Sequence, residues 1–404
     1  MYVRSLSLEN FRNYVRLEQE WPQGAVLVCG ANAQGKTTLL EAIYYLATGH
    51  SPLTGVDRQL INWTAVEEQL PYAHLRAEVV TRERVREITV AIAHVRTRNG
   101  NLRLQKQIRI DRQPRRRRDL TGHLNVVLFL PQDVDLVAGS PAGRRRFLDD
   151  VLSQVDATYS AALEAYNDAL RQRNALLRYL AEEGGDPAQL DPLEERLARN
   201  GVLISQARRR LIAGLSHHAA RIHHELTGGQ EWLRLEYRPN FDPAHPPALN
   251  YQIGLALEEP AGPPEGIDIE DLVTAFRARL RERRPEEIAR GMTLTGPHRD
   301  EMRFLADEVD LGTFGSRGQQ RTAVLALKLA QLAWMRETTG EAPVLLLDEV
   351  MAELDPQRRQ FLLDQVERAD QAFLTTTDPE MFDPTFRSKA AIYRVENGIL
   401  HPAP

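Results

Sequence analysis

The sequence predicts an α/β fold whose sheet-forming parts are separated by a helical insertion, on three observations. A glycine loop, Gly30-Ala31-Asn32-Ala33-Gln34-Gly35-Lys36-Thr37, joins an apolar run to a helical pattern. A second apolar run, residues 344–347, ends in Asp348 and Glu349. Between the two, across residues 143–226, apolar side chains recur at three and four residues, the spacing of a helix.

Taken in order, residues 3–8 alternate apolar and polar and read as a strand. Residues 25–29 are uniformly apolar, as in a strand buried on both faces. After the glycine loop, Thr38 leads a helical pattern through residue 46. Strand, glycine loop, helix is the setting in which G-x-x-x-x-G-K-[ST] cradles phosphates. Backbone N–H groups of the loop residues Gly30 to Thr38 point at anionic oxygens. Gly30 and Gly35 permit an approach that a Cβ would forbid. Lys36 brings a positive charge to the β- and γ-phosphates, and Thr37 offers a hydroxyl to Mg2+. Of 51 basic residues only four are lysines, at 36, 106, 328 and 389, and the loop keeps one of them. A compact ammonium is what a phosphate site uses.

Residues 75–80, 85–95 and 102–110 are β-rich and predict antiparallel hairpins, the last pair turning at Asn99-Gly100-Asn101. The basic run Arg112-Gln113-Pro114-Arg115-Arg116-Arg117-Arg118 reads either as a solvated loop or as a contact for a DNA backbone or a partner. At Gly139-Ser140-Pro141 the character changes. Residues 143–180 predict one helix whose stripe runs through Leu152, Tyr159, Tyr166 and Ala169 until Arg173 interrupts it. After a stop at 182–187 a second helix carries Leu197, Ile204, Leu211, Leu215, Ile222 and Leu226. The pair predicts a long antiparallel hairpin with arms of roughly 50–60 Å. Arg208-Arg209-Arg210 reads as its solvated face. Residues 239–266 are rich in proline and predict loops around a strand or two, followed by a helix over 268–284. The α/β character returns at Met292 and closes on a strand at 391–395. The expected domains are 1–140, 141–290 and 291–404.

The carboxylates after the second apolar run complete the phosphate loop. Asp348 belongs in the Mg2+ shell, and Glu349 orients or deprotonates the attacking water. Upstream, Ser316-Arg317-Gly318-Gln319-Gln320 opens another helix and predicts a second anion-binding helix end. No Asn-Lys-x-Asp segment accompanies any of the four lysines, which disfavours a small GTPase.

Composition narrows the remaining classes. Net charge is −5, so any DNA contact relies on local basic patches rather than a global field. The single cysteine, Cys29, cannot form a disulfide within the chain and fits a reducing cytoplasm. The N-terminus alternates around Leu6 and Leu8, unlike a signal peptide. No run of 18 apolar residues predicts a membrane span. His217, His218, His223 and His224 fall in two pairs seven apart, which is not a metal-site spacing.

These motifs resemble those of ABC-type ATPases. Ser316-Arg317-Gly318-Gln319-Gln320 resembles the signature motif as recombination ATPases carry it. Glu353-Leu354-Asp355 resembles the D-loop, with Asp355 its acid, and Gln132 in Leu130-Pro131-Gln132-Asp133 resembles the Q-loop glutamine. Thr375-Thr376-Thr377-Asp378 stands where such proteins carry a switch histidine, leaving Thr377 or Asp378 in its place. With Leu8-Glu9-Asn10-Phe11-Arg12-Asn13-Tyr14 and Gly296-Pro297-His298-Arg299-Asp300, the chain resembles the RecF family of bacterial recombination mediators.

The resemblance implies an SMC-like ATPase head split in sequence, with ATP and Mg2+ as cofactors. It implies an ATP-dependent homodimer on double-stranded DNA or at single/double-strand junctions. Slow hydrolysis would act as a switch rather than a motor. It further implies work with RecR and RecO to load RecA in DNA replication, repair and the SOS response, in the cytoplasm at the nucleoid. The Q-loop residue Gln132 then joins Thr37 and Asp348 around the metal, and Ser316 and Gly318 of one copy grip the phosphates held by Lys36 of the other. Arg12 and Arg58 are candidates to line the nucleotide. Arg115, Arg116, Arg117, Arg144 and Arg145 are candidates for DNA, and His298 is a candidate functional histidine. The alternatives are an SMC-like structural chromosome protein, disfavoured by helices too short for long arms, and an ABC transporter ATPase subunit, which would need a membrane partner.

Overall fold

The computed structural model describes residues 1–66, 71–96, 102–242 and 268–403. Two compact units emerge, one of Met1–Asp133 with Gln331–Pro404 and one of Val134–Ala330. The first unit opens with β1 (Tyr2–Phe11), β2 (Tyr14–Glu20), β3 (Gly24–Cys29), α1 (Lys36–Thr48) and the single-turn α2 (Trp63–Val66). It continues through β4 (Tyr72–Val80), β5 (Val85–Arg96), β6 (Leu102–Ile110), β7 (Gln113–Arg115) and β8 (Val126–Phe129). The second unit contains α3 (Asp135–Ala138), α4 (Pro141–Val155), α5 (Ala157–Glu183), α6 (Asp191–Leu226), β9 (Leu233–Arg238) and α7 (Ile269–Arg290). It then adds β10 (Glu301–Ala306), β11 (Val309–Asp310), α8 (Leu311–Phe314) and the first part of α9 (Arg317–Thr339). The first unit resumes with β12 (Val344–Asp348), α10 (Pro356–Arg368), β13 (Gln371–Thr376), α11 (Pro384–Lys389), β14 (Ala391–Glu396) and β15 (Ile399–Pro402).

One sheet of the first unit has the order β15-β14-β3-β13-β12-β8, parallel throughout except for β15. β3, from the start of the chain, lies between β13 and β14, from its end. The two sequence halves therefore make one sheet. Both faces are covered, which is why Val26 to Val28, Leu345 to Leu347 and Phe373 to Leu374 are continuous apolar runs. The other sheet, β2-β1-β4-β5-β6-β7, is antiparallel. Its strands alternate, sending Leu6, Leu8, Leu75, Val79, Ile88, Val90 and Ile108 inward. One apolar core joins both sheets to α1. The expected turn at Asn99-Gly100-Asn101 lies outside the described residues, as does most of the proline-rich stretch, residues 243–267.

In the second unit α5 and α6 pack along each other and α7 lies against both. The single helix expected over 143–180 is two. Asp156 ends α4 and caps α5, its carboxylate accepting from the N–H groups of Thr158 and Tyr159. α5 has 27 residues and α6 has 36, so they span roughly 40 and 54 Å. Arg173 does not interrupt the stripe. It is fully buried, 2.9 Å from Glu194 and 2.7 Å from Glu287, and donates to Thr293 Oγ1. Arg208 is likewise buried rather than solvated, held by Asp149, Asp300, the Pro297 carbonyl and the Tyr159 hydroxyl. The second compact unit runs over Val134–Ala330 against the expected 141–290, and within it β10 pairs with β9, which ties residues 301–306 to the helical part. Among the described residues no helix is long and apolar enough to cross a membrane.

Candidate functional site

The parallel strands β3 and β12 deliver their C-terminal ends to one side of the sheet, and the glycine loop and the acid pair meet there. Lys36 Nζ donates to the carbonyls of Gly30 at 2.9 Å and Ala31 at 3.0 Å, and lies 2.9 Å from Glu349 Oε1. Thr37 Oγ1 lies 2.9 Å from both carboxylate oxygens of Asp348. A hydroxyl beside a carboxylate is a hard-oxygen pair of the kind Mg2+ takes. Burial holds the Asp348 carboxyl above the usual carboxylate range, opposed by hydrogen bonds from Thr375 and Thr37. Glu349 sits at φ +52°, a left-handed backbone for a residue with a Cβ, and such strain concentrates at functional positions.

The loop is braced from three sides. At Gly35, φ is +121° and an added Cβ would lie 2.7 Å from Asn13 Nδ2. At Gly30 it would lie 2.5 Å from the Val395 carbonyl oxygen. The Tyr14 hydroxyl donates to the Gly35 carbonyl. The turn between β14 and β15 donates Asn397 N–H to Gln34 Oε1 and Gly398 N–H to the Gln34 carbonyl. A cavity of about 530 Å3 opens over the loop, floored by Asn32, Ala33 and Gly35 to Thr38 beside Asp348 and Glu349. Arg12, Gln59, Trp63 and Pro131 also line it. Arg12 is turned onto α1, its guanidinium donating twice to Glu41. Arg58 is exposed and does not line the cavity. Gln132, one residue past Pro131, is also exposed and absent from the lining.

In the second unit Ser316, Arg317 and Gly318 are exposed at the start of α9. Ser316 and Gln319 form a reciprocal cap, Ser316 N–H donating to Gln319 Oε1 and Gln319 N–H to Ser316 Oγ. Gln320 faces inward and donates to the Leu311 carbonyl. Asp355 caps α10 by accepting Arg358 N–H.

The comparisons with known proteins accord with this layout. The family model described as RecF/RecN/SMC N terminal domain matches residues 2–401. The chain is 41% identical to the DNA replication and repair protein RecF of Herpetosiphon aurantiacus over 412 residues, covering 100% of both. It is 42% identical to the RecF protein of Chloroflexus aurantiacus, covering 98% of this chain and 99% of the relative. A solved structure of the recombination mediator protein RecF-ATP in the RecFOR pathway is 29% identical and superposes with a TM-score of 0.82, covering 100% of this chain and 98% of that one. The chain belongs to the RecF family.

Several groups at the sites of this RecF-family chain escaped sequence reasoning. Thr375, not Thr377 or Asp378, reaches the acid pair: its hydroxyl donates to Asp348 Oδ1 at 2.8 Å and accepts Glu349 N–H. Thr377 and Asp378 are exposed, and Asp378 caps the following turn. Glu231 accepts from Gln319 Nε2 at 2.8 Å and lies 3.2 Å from His223 Nε2, tying the start of α9 to the end of α6. Its only sequence signal is a glutamate after the Gly228-Gly229 stop. His224 stacks on Trp232 at 3.9 Å.

The DNA candidates divide. Arg115 and Arg116 are exposed at the end of β7. Arg117 is exposed but donates to the Thr48 carbonyl and approaches His50. Arg144 is buried, paired with Glu301 and donating to three carbonyls between residues 136 and 139, so its guanidinium serves the fold. Arg145 is half-buried and donates to the Asp300 carbonyl. His298 is half-buried, bonded to the Tyr166 hydroxyl and the Thr293 carbonyl, and burial pushes its pKa down to about 4. Both ring nitrogens are thus engaged, tying His298 to α5 and to Thr293.

Proposed function

We propose that this chain is an ATP-dependent DNA-binding protein of recombinational repair, in which ATP joins two copies and hydrolysis releases them. The observation that carries the reading is the convergence of Lys36, Thr37, Asp348 and Glu349 at one cavity. The relatives named as DNA replication and repair proteins, and the RecF structure with ATP, support the same reading.

The residues suggest how the cycle works. Lys36 shares its ammonium between loop carbonyls and Glu349. A triphosphate in the loop competes for that ammonium and releases the Glu349 carboxylate to accept a proton from water. Thr37 and Asp348 would hold Mg2+, which would neutralise phosphate charge; Gln132, exposed outside the cavity lining, would join them only by turning in once nucleotide is bound. Thr375 fixes the Asp348 carboxylate and the Glu349 backbone, and Thr377 or Asp378 stands in for the switch histidine. The exposed Ser316 and Gly318, at a helix N-terminus, complete the phosphate cage of a second copy. Arg115 and Arg116 contribute to a DNA-backbone surface. RecR and RecO are the expected protein partners, with RecA loading as the outcome.

Sedimentation with and without Mg·ATP and a gapped duplex tests the reading. Wild type is expected to dimerise and bind DNA only with ATP, and Lys36→Met to do neither. A Lys36→Met protein that dimerises and binds DNA like wild type would refute it.

A further inference from the structure

Trp63 is 73% exposed; among the described large apolar side chains only Phe314, at 76%, is more so. A lone exposed tryptophan means little, but this one stands at a particular place. It lines the cavity that holds Lys36, Thr37 and Asp348, and among the described residues it is the only aromatic of that lining. Its backbone is pinned although its ring is not. Asn62, 2% exposed, donates from Nδ2 to the Arg12 carbonyl and accepts at Oδ1 from the Thr64 N–H and hydroxyl. The Asn62 N–H donates to the Asn10 carbonyl, and Arg12 N–H to the Leu60 carbonyl. Ile61, which bridges to Phe11, and Ala65 anchor the turn in the core. The fold therefore uses a buried amide and two apolar anchors to hold a largely exposed indole in the cavity lining.

The cavity lining is polar at the loop, where phosphate would bind, and includes one large aromatic ring. We infer that Trp63 is the platform on which the base of the bound nucleoside triphosphate stacks. The inference rests on the nucleotide reading of the loop and adds the base subsite to it. Stacking on an aromatic face is tolerant of base identity, because every base has a π-face. Trp63 therefore supplies affinity for the base and little discrimination between adenine and guanine.

The test compares Mg·ATP, Mg·GTP and magnesium tripolyphosphate, which has no base, by calorimetric titration of the full chain. It uses wild type, Trp63→Ala and Trp63→Phe at concentrations where the protein is monomeric. Trp63→Ala is expected to weaken ATP and GTP roughly tenfold, about 1.4 kcal/mol, and to leave tripolyphosphate within about twofold. Trp63→Phe should restore most of the loss. Unchanged ATP affinity in Trp63→Ala overturns the inference while leaving the phosphate loop intact. So does unchanged ATP affinity with a lost ATP-dependent dimer, which would make the indole a contact for a second copy. An equal loss for ATP and tripolyphosphate also overturns it, because the substitution would then have damaged the loop. Wild type that binds no nucleotide removes the nucleotide reading and this subsite with it.

Discussion

Arg173→Leu should destabilise the second unit more than any other single exchange considered. The guanidinium is fully buried and bridges Glu194 from α6 and Glu287 from α7 while donating to Thr293. Glu194 keeps a second partner in Arg284, and Glu287 keeps the Leu294 N–H. Removing Arg173 still leaves Glu287 buried without its cation, and breaking one side of a buried ion pair costs about 3–5 kcal/mol. For a unit the size of Val134–Ala330 each kcal/mol moves Tm by roughly 2–4 °C, so the shift is roughly 6–20 °C. Urea unfolding followed by circular dichroism measures the loss at fixed pH. Adding Glu287→Gln to Arg173→Leu should recover part of it, because the stranded charge is gone. A loss under about 1 kcal/mol, or no recovery in the double variant, would refute the view that this pair is a buried clamp.

His298 predicts an acid limb of stability. Its pKa is near 4 in the fold against 6.5 when free, so below 6.5 the unfolded chain takes up a proton that the folded chain refuses. Stability is full above 6.5 and falls as pH drops toward 4, by at most roughly 3 kcal/mol. Tm profiles should show a shallower acid limb in His298→Gln, and identical limbs would contradict the assignment. Arg115→Ala with Arg116→Ala should weaken DNA binding evenly across sequences and lower the log–log salt slope by about 2. Arg144→Ala should instead lower Tm; an unchanged salt slope in the first variant would remove β7 from the DNA surface. Glu231→Ala frees Gln319 from its anchor at the signature helix and should weaken ATP-dependent dimerisation with little change in ATP affinity. Glu231→Gln should rescue it in part, and equal loss of ATP affinity would count against a role confined to the signature end.

The glycine loop was legible because its chemistry is local: eight consecutive residues, with a strand before and a helix after. The Asp348-Glu349 pair was legible for the same reason. The buried arginines were not. Arg144, Arg173 and Arg208 look like surface residues in any short window, and their carboxylate partners Glu301, Glu287 and Asp300 stand between 92 and 157 residues further on. Pairing at that distance leaves no periodic trace. The contact of Thr375 with Asp348 was not legible either, because which threonine faces Asp348 depends on the register of β13 against β12, set by hydrogen bonding rather than by composition. The break at Asp156 was readable, since aspartate before a helical run is a common cap. The Ser316/Gln319 cap was readable too, being the S-x-x-Q pattern.

The central claim is that ATP bound at the loop of one copy is gripped by the signature helix of another. Complementation tests it most directly, with Lys36→Met and Ser316→Arg each placed in a Glu349→Gln background that blocks hydrolysis. Alone, each variant should sediment as a monomer in Mg·ATP, the first lacking a nucleotide and the second lacking a grip. Mixed in equal amounts they should form a dimer, since one intact loop then faces one intact signature. A mixture that stays monomeric while the Glu349→Gln parent dimerises would contradict the claim, as would Ser316→Arg dimerising by itself.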